Sequence, residues 1–353
     1  MTAPRDTPAS AGYRMPAEWH PHAGTWLTWP KDPVTWPDRV PAVQEIYLQF
    51  LEALTPHEVV NLLVDDADVA ADVRARCAGR SVVLDRLVCH EVPTVDSWIR
   101  DYGPNFLLGA DGRLAFNDWE FNAWGGKYEA LARDTDVPRR LEVLGAVPRF
   151  VPGIVLEGGS IDVDGQGTVL TTEQCLLHPN RNPSLTRDDI GGYLREYLGV
   201  SQVLWLGEGI EGDDTDGHVD DITRFVAPDT IVTVVEDDPA DANHGPLQDN
   251  LRRLHLARDA AGRPYRIVTL PMPGYVMADG DRLPASYANF YIANGVVLLP
   301  VYGHPHDEVA VEILQPLFPD RRVVPIHCEP LVWGMGSIHC VTQQQPRAAG
   351  GHI

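Results

Sequence analysis

Cys340 lies in Gly334-Met335-Gly336-Ser337-Ile338-His339-Cys340-Val341-Thr342, where a glycine-rich turn feeds a short β-branched run. Such a backbone lets other groups approach a thiol, as a nucleophile requires, although most free cysteines are small buried hydrophobes. Three upstream segments favour the nucleophilic reading. Trp98-Ile-Arg-Asp101-Tyr-Gly, Leu156-Glu157-Gly-Gly and Asp213-Asp214-Thr-Asp216-Gly-His218-Val-Asp220-Asp221 each set carboxylate or imidazole beside glycine. A conventional cysteine hydrolase needs at most one acid, to orient its histidine. The surplus carboxylates imply a cationic group held at the centre. A guanidinium is planar, with forked N–H donors that two carboxylates can grip from the sides while its carbon stays open to sulfur. On this reading Cys340 attacks, Asp101 and Asp220 clamp, and His218 serves as general acid and base. Glu157 then holds and charges the histidine.

These residues need elements that bring them together. Asn105 to Asn117, Ser160 to Thr172, Ile222 to Val235 and Phe290 to Val301 each read as strand, tight turn, strand, with Asp-Gly, Asn-Gly or Pro-Asp at the turn. The turns recur at roughly fifty-five to sixty-five residues, a spacing that suits a hairpin plus crossover helix repeated about an axis. Helical periodicity follows the later hairpins at Asp188 to Tyr197, Gly245 to Ala257 and Glu308 to Leu317. Upstream, the pattern predicts a strand over Gly24 to Trp29, a helix over Val40 to Leu54, a strand over Val59 to Val64, a helix over Val69 to Arg76 and extended chain over Ser81 to Val92. The acidic and imidazole segments stand at the hairpin mouths, so units sharing one centre would converge them there, with Cys340 arriving from the last. Several α/β units around one centre therefore fit better than two independent domains. The whole chain, 1–353, reads as one catalytic domain with tails over 1–12 and 346–353.

Composition narrows the class. With 353 residues, 44% of them hydrophobic and 22% charged, the chain can bury a large core. A net charge of −22 disfavours nucleic acid and anionic membrane and favours a small cationic ligand. Five scattered cysteines without a Cys-x-x-Cys pair argue against a disulfide framework or structural zinc. Neither a signal peptide nor an apolar run of membrane-spanning length is visible, which points to the cytoplasm. Three metal readings are weaker than their alternatives. His20-Pro-His22 reads as a surface or hydrogen-bonded pair, Asp162-x-Asp164-x-Gln166-Gly167 as a hairpin turn, and His304-Pro-His306-Asp307-Glu308 as a helix start.

Read together, seven segments resemble the agmatine deiminase family, which also takes in bacterial-type peptidylarginine deiminases. They are Met15-Pro-Ala-Glu-Trp, Ser97 to Pro104, Phe121-Asn-Ala-Trp-Gly-Gly126, Leu156-Glu-Gly-Gly-Ser-Ile161, Gly212 to Asp220, Ser286-Tyr-Ala-Asn-Phe-Tyr291 and Ile338-His-Cys-Val-Thr-Gln-Gln344. The resemblance spans about Met15 to Gln344 and implies a five-bladed, pseudo-fivefold α/β propeller of the guanidine-modifying superfamily, with neither metal nor organic cofactor. It places the family's nucleophile on Cys340, its histidine on His218, its guanidinium carboxylates on Asp101 and Asp220 and its glutamate on Glu157. The implied reaction is deimination through a covalent S-alkylthiouronium. Agmatine would give N-carbamoylputrescine and ammonia, with Trp98 as an aromatic wall and the Asp213, Asp214 and Asp216 segment facing the far amine. Peptidyl or free arginine, or another guanidine, is the alternative substrate. A polyamine-binding scaffold without catalysis would need no thiol. Met335 and Ser337 depart from the run of glycines and asparagine usual before Ile-His-Cys, at the site's entrance. A homo-oligomer is compatible with the sequence.

Overall fold

Apolar residues three and four apart draw Val40–Leu54 into a helix in the computed structural model, which describes residues 6–349. Val43, Ile46, Tyr47, Phe50, Leu51 and Leu54 make its buried face, and the Thr55 hydroxyl donates to Leu51 O just before Pro56. The helix connects two parallel strands, His22–Thr28 and Val59–Val64, and Leu87–Glu91 adds a third after the helix Ala67–Arg76. On the other side of His22–Thr28 lies Gln343–Pro346, antiparallel, with Gln343 opposite Trp26. The end of the chain thus closes on its beginning, and Cys340 is carried to residues of the N-terminal segment.

The other main sheets repeat one pattern: an antiparallel hairpin whose second strand takes a parallel partner. Asn105–Gly109 and Leu114–Asn117 pair with Arg149–Phe150; Asp162–Val163 and Thr168–Thr172 with Gln202–Leu206. Thr223–Ala227 and Thr230–Val235 pair with Arg266–Pro271; Tyr291–Ile292 and Val296–Val301 with Arg322–His327. Parallel partners need a crossover, and in the last three sheets it is a helix: Arg187–Leu198, His244–Leu256 and His306–Leu314. The first of these starts in a reciprocal cap between Thr186 and Asp189 and stops at Gly199, whose φ of 67° needs no Cβ. The architecture is mixed α/β, with apolar side chains buried between helices and sheets.

Just ahead of the hairpins lie one-turn segments that carry the chemistry. Ile99–Tyr102 precedes Asn105, Gly158–Ser160 precedes Asp162, and Val219–Asp221 precedes Thr223. The first packs on the second and the second on the third.

Two details differ from the sequence reading. A 3-10 turn, Leu84–Arg86, closed by Arg86 N to Val83 O, interrupts the segment expected to be extended over Ser81 to Val92. A small ribbon, Met277–Ala278 with Asp281–Arg282, forms around Asp279-Gly280. The described parts of both expected tails lie against the body. Thr7 is buried and Ala9 N donates to Glu196 O; Arg347 N donates to Pro21 O and Ala349 N to Gly112 O. No helix among the described residues is long and apolar enough to cross a membrane.

Candidate active site

Gly159 marks the point of convergence. A Cβ added there would lie 2.6 Å from His218 Nδ1, 3.0 Å from Asp101 Oδ1 and 3.0 Å from Asp220 Oδ2. Three of the residues singled out from sequence therefore surround a position where only glycine fits. His218 Nδ1 is 3.8 Å from Asp101 Oδ1, and Cys340 Sγ is 3.9 Å from Asp220 Oδ2. Glu157, the fifth, lies behind the histidine. One of its oxygens, one ring nitrogen of His218 and the Cys175 sulfur all fall within 4.8 Å of each other. Its hydrogen bond, however, is to Arg181, whose Nε donates to Oε1 at 2.6 Å, while Oε2 has no partner. The expectation is that Glu157 holds and charges the histidine; in the structure it lies near the ring, with its hydrogen bond to Arg181 and none to His218.

Each carboxylate is held from behind. Asp101 Oδ1 accepts from Gly159 N at 2.9 Å and Oδ2 from the Trp124 indole at 3.0 Å. That indole is delivered by a turn in which Ala123, Trp124, Gly125 and Gly126 all have positive φ. Asp220 Oδ2 accepts from His339 Nδ1 at 2.6 Å, and His339 Nε2 lies 2.7 Å from Glu18 Oε2. Asn289 Nδ2 reaches both Asp221 Oδ1, at 2.9 Å, and Cys340 Sγ, at 3.2 Å. Glu18, Asn289 and His339 stand inside quoted motifs, yet nothing in their local spacing announced these contacts. Cys175 and Arg181 carried no signal at all.

Burial in a crowded acid centre sets the protonation states. Burial first, then the charges of Asp220, Asp221 and Asp101, push the Cys340 thiol well above its usual value, so it rests protonated. For His218 burial opposes the charge, but Asp101, Cys175 and Asp220 outweigh it and raise the imidazole well above its ordinary range. Burial lifts Asp101 to about 6, with His218 pulling down and Asp220 and Glu157 pushing up. Asp221 is driven well up by burial, Asp220 and Asp213. Asp220 goes the other way: burial would raise it, but the His339 bond and the charges of His339, His218 and Arg224 hold it below the usual carboxylate range.

Cys340 and Asp101 open into a cleft of about 200 Å³ walled by Trp98, Trp124, Tyr128 and Met335. Asp220, His218 and Glu157 lie beneath it, fully buried. Trp98 is fixed by its indole N–H to Asp96 Oδ2 at 2.8 Å and stacks edge-on with Trp124. Gly336 is needed beside it, because a Cβ there would meet the Trp98 ring at 2.5 Å. Asp214 is at the rim, but bonded to the Tyr128 hydroxyl and 3.4 Å from Lys127 Nζ. Asp213 and Asp216 face away from the cleft. Asp213 accepts from His218 N at 3.0 Å, and Asp216 pairs with Arg181 at 2.6 Å.

Two triads have ligand atoms close enough together for a cation: Glu157, Cys175 and His218, and Asp220, Asp221 and Cys340. Both are made of the groups just described. The weaker metal candidates are otherwise engaged. His22 bridges Glu58 and the Glu18 carbonyl, Asp164 caps its own hairpin through Gln166 N and Thr168 N, and Asp307 accepts from Gly303 N and His304 N in the loop before its helix.

Comparison with known proteins follows the same lines. A family model described as Porphyromonas-type peptidyl-arginine deiminase matches residues 14–346. Agmatine deiminase of Stutzerimonas stutzeri is 40% identical over 370 residues, covering 98% of this chain and 99% of that one. The structure of agmatine deiminase of Enterococcus faecalis superposes with a TM-score of 0.90 at 35% identity, covering 98% of each chain. A C. jejuni agmatine deiminase variant with substrate bound gives 0.86 at 28% identity, over 95% and 97% of the two chains. A Microseira wollei amidinotransferase, 11% identical with a TM-score of 0.52, shares the fold alone.

Proposed function

The chain belongs to the Porphyromonas-type peptidyl-arginine deiminase family, and we propose that it deiminates agmatine to N-carbamoylputrescine and ammonia through a covalent adduct on Cys340. The observation that carries the proposal is the grouping of imidazole and two carboxylates around Gly159, with the thiol 3.9 Å from one of those carboxylates, at the floor of a cleft whose mouth is acidic. The five main sheets of like pattern, with three of their leading turns packed in sequence, support a pseudo-fivefold propeller as the scaffold.

The guanidinium enters between Asp101 and Asp220, and its charge offsets the carboxylates that keep Cys340 protonated. The thiol then gives up its proton and sulfur attacks the guanidinium carbon. His218, resting as imidazolium, protonates the departing nitrogen, so ammonia leaves and an S-alkylthiouronium remains. The neutral imidazole next takes a proton from water, whose oxygen bonds the same carbon. Collapse of that adduct forms the ureido carbonyl, breaks the C–S bond and returns a proton to the sulfur. The proton released at binding ends on ammonia, so the sum is guanidinium plus water to urea derivative plus ammonium.

Agmatine is favoured over arginine by the cleft lining. Among the described residues that line it there is no lysine or arginine to pair with a substrate carboxylate, whereas Asp32 and Asp214, the latter shared with Tyr128 and Lys127, stand where an amine would enter. Ammonia release from agmatine, free arginine and a blocked arginine peptide, measured side by side, tests the assignment. Agmatine should be the best of the three; turnover of either arginine substrate alone would overturn it.

A further inference from the structure

We propose that Glu18 and His339 are positioning residues of this centre, which together hold Asp220 as the anion of a buried acid cluster and leave its Oδ1 to the guanidinium. The inference rests on the deimination reading above and adds two residues to it.

His339 is buried, with Nδ1 2.6 Å from Asp220 Oδ2 and Nε2 2.7 Å from Glu18 Oε2. An ionised carboxylate oxygen can only accept, so a ring that serves one on each side must carry hydrogen on both nitrogens. Glu18 is itself fixed as an acceptor: Ile292 N donates to Oε1 at 2.7 Å, Arg224 Nη2 lies 2.9 Å from Oε2, and Arg100 Nη2 lies 3.5 Å from it. The result is a buried chain of alternating charge that ends on Asp220. Asp220 Oδ1 is left buried and without a hydrogen-bond partner.

The need for such a device follows from the company Asp220 keeps. Asp101, Asp213, Asp221, Cys340, His218 and Arg224 all act on it, and the His339 ring in turn faces Glu18 and lies in the field of Asp162, while the His339 carbonyl accepts from Arg100 Nε. So many acids in one dry centre cannot all ionise, and which one stays charged must be imposed from outside the cluster. In keeping with this, Glu18 and Asp220 are held below the usual carboxylate range while Asp213 and Asp221 are pushed above it. The covalent neighbour of the nucleophile thus sets the charge of the clamp, and Glu18, from the N-terminal segment, secures it.

The test is the pH dependence of kcat/KM for agmatine in wild type and in His339→Gln, whose amide can still donate to Asp220 but carries no charge. The expected result is a loss of at least about tenfold near neutral pH, carried mainly by KM, with the acid limb moved from near pH 6, where Asp101 sets it, up by about one pH unit or more as Asp220 becomes the last acid to ionise, so that the gap narrows as pH rises. A merely structural histidine would lower Tm and amplitude and leave the limb in place; that outcome overturns the proposal. If the variant does not fold, 15N-histidine spectra of the wild type decide, because His339 must show two ring N–H signals near neutral pH and a single one overturns it. Failure of the wild type to release ammonia from agmatine would sink the underlying deimination reading instead, and the two failures are therefore distinct.

Discussion

Removing the sulfur of Cys340 takes away the atom that bonds the guanidinium carbon, so Cys340→Ala should have no more than trace turnover at unchanged Tm. Ammonia release and a thermal melt of the same preparation check both halves. Asp101→Asn and Asp220→Asn keep the shape of the clamp and lose its charge. Each should cost about 2–5 kcal/mol in transition-state binding, roughly thirty- to several-thousandfold in kcat/KM. Near-normal kinetics in either would remove that residue from the clamp. Because Asp101 is lifted to about 6 by its burial, it is protonated, and a poor partner for a cation, below that value. The acid limb of kcat/KM should accordingly lie near pH 6, with activity rising as pH rises through it. A limb in the ordinary carboxylate range would show that Asp101 is not the group that titrates.

At the scale of elements, the turn at Ala123 to Gly126 is where fold and chemistry meet most tightly. Ala123 and Trp124 have φ of 55° and 53°, a conformation that costs residues with a Cβ of the order of 1–3 kcal/mol each. It is kept by what it delivers, the Trp124 N–H on Asp101. Trp124→Phe retains an aromatic wall without that donor. A hydrogen bond to a charged group contributes about 1.5–3 kcal/mol, so kcat/KM should fall roughly ten- to hundredfold with Tm little changed. An unchanged kcat/KM would mean that the indole serves packing alone. The same turn shows why the sequence was only partly legible. Helix Val40–Leu54, the strand Val59–Val64 and the four hairpins could be read because period and turn residues are local properties. Asp101, His218 and Asp220 could be read because their segments set them near glycine at a hairpin mouth, and Cys340 because a glycine-rich turn leads into it. Positive φ at Ala123 and Trp124 is imposed by tertiary contacts, with only the following Gly125-Gly126 as a hint. The bonds from His339 to Glu18 and Asp220 span separations of 321 and 119 residues, and no local pattern encodes them. Asp214 was legible as acidic but not as already bonded to Tyr128, a partner that only the folded rim supplies.

For the whole molecule, the acidity that tunes the centre also works against stability. Asp96 is lifted to about 7 by burial, and Asp134 and Asp162 to about 6. Between the ordinary carboxylate range and those values the folded chain binds protons that the unfolded chain has already lost, so stability falls as pH rises through this window. A formal charge of −22 adds self-repulsion in the same direction. Tm should therefore be higher near pH 5.5 than near pH 8, where kcat/KM is the greater; the reverse order would mean that these carboxyls ionise normally. Further acidification should lower Tm again, as Glu18 and Asp216, both held low by cationic partners, take up protons. The same field acts on the substrate before it reaches the cleft. A dication is drawn to a strongly negative surface at long range, while zwitterionic arginine gains little and must also desolvate a carboxylate in a cleft that offers it no cation among the described lining residues. Agmatine should exceed arginine in kcat/KM by at least about tenfold, a difference of about 1.4 kcal/mol, and added salt should depress kcat/KM for agmatine more than kcat. Both substrates assayed at two ionic strengths decide the matter. A salt-insensitive kcat/KM would remove steering from the account, and equal turnover of arginine would transfer discrimination to contacts deeper than the rim, leaving Cys340 and His218 in their roles.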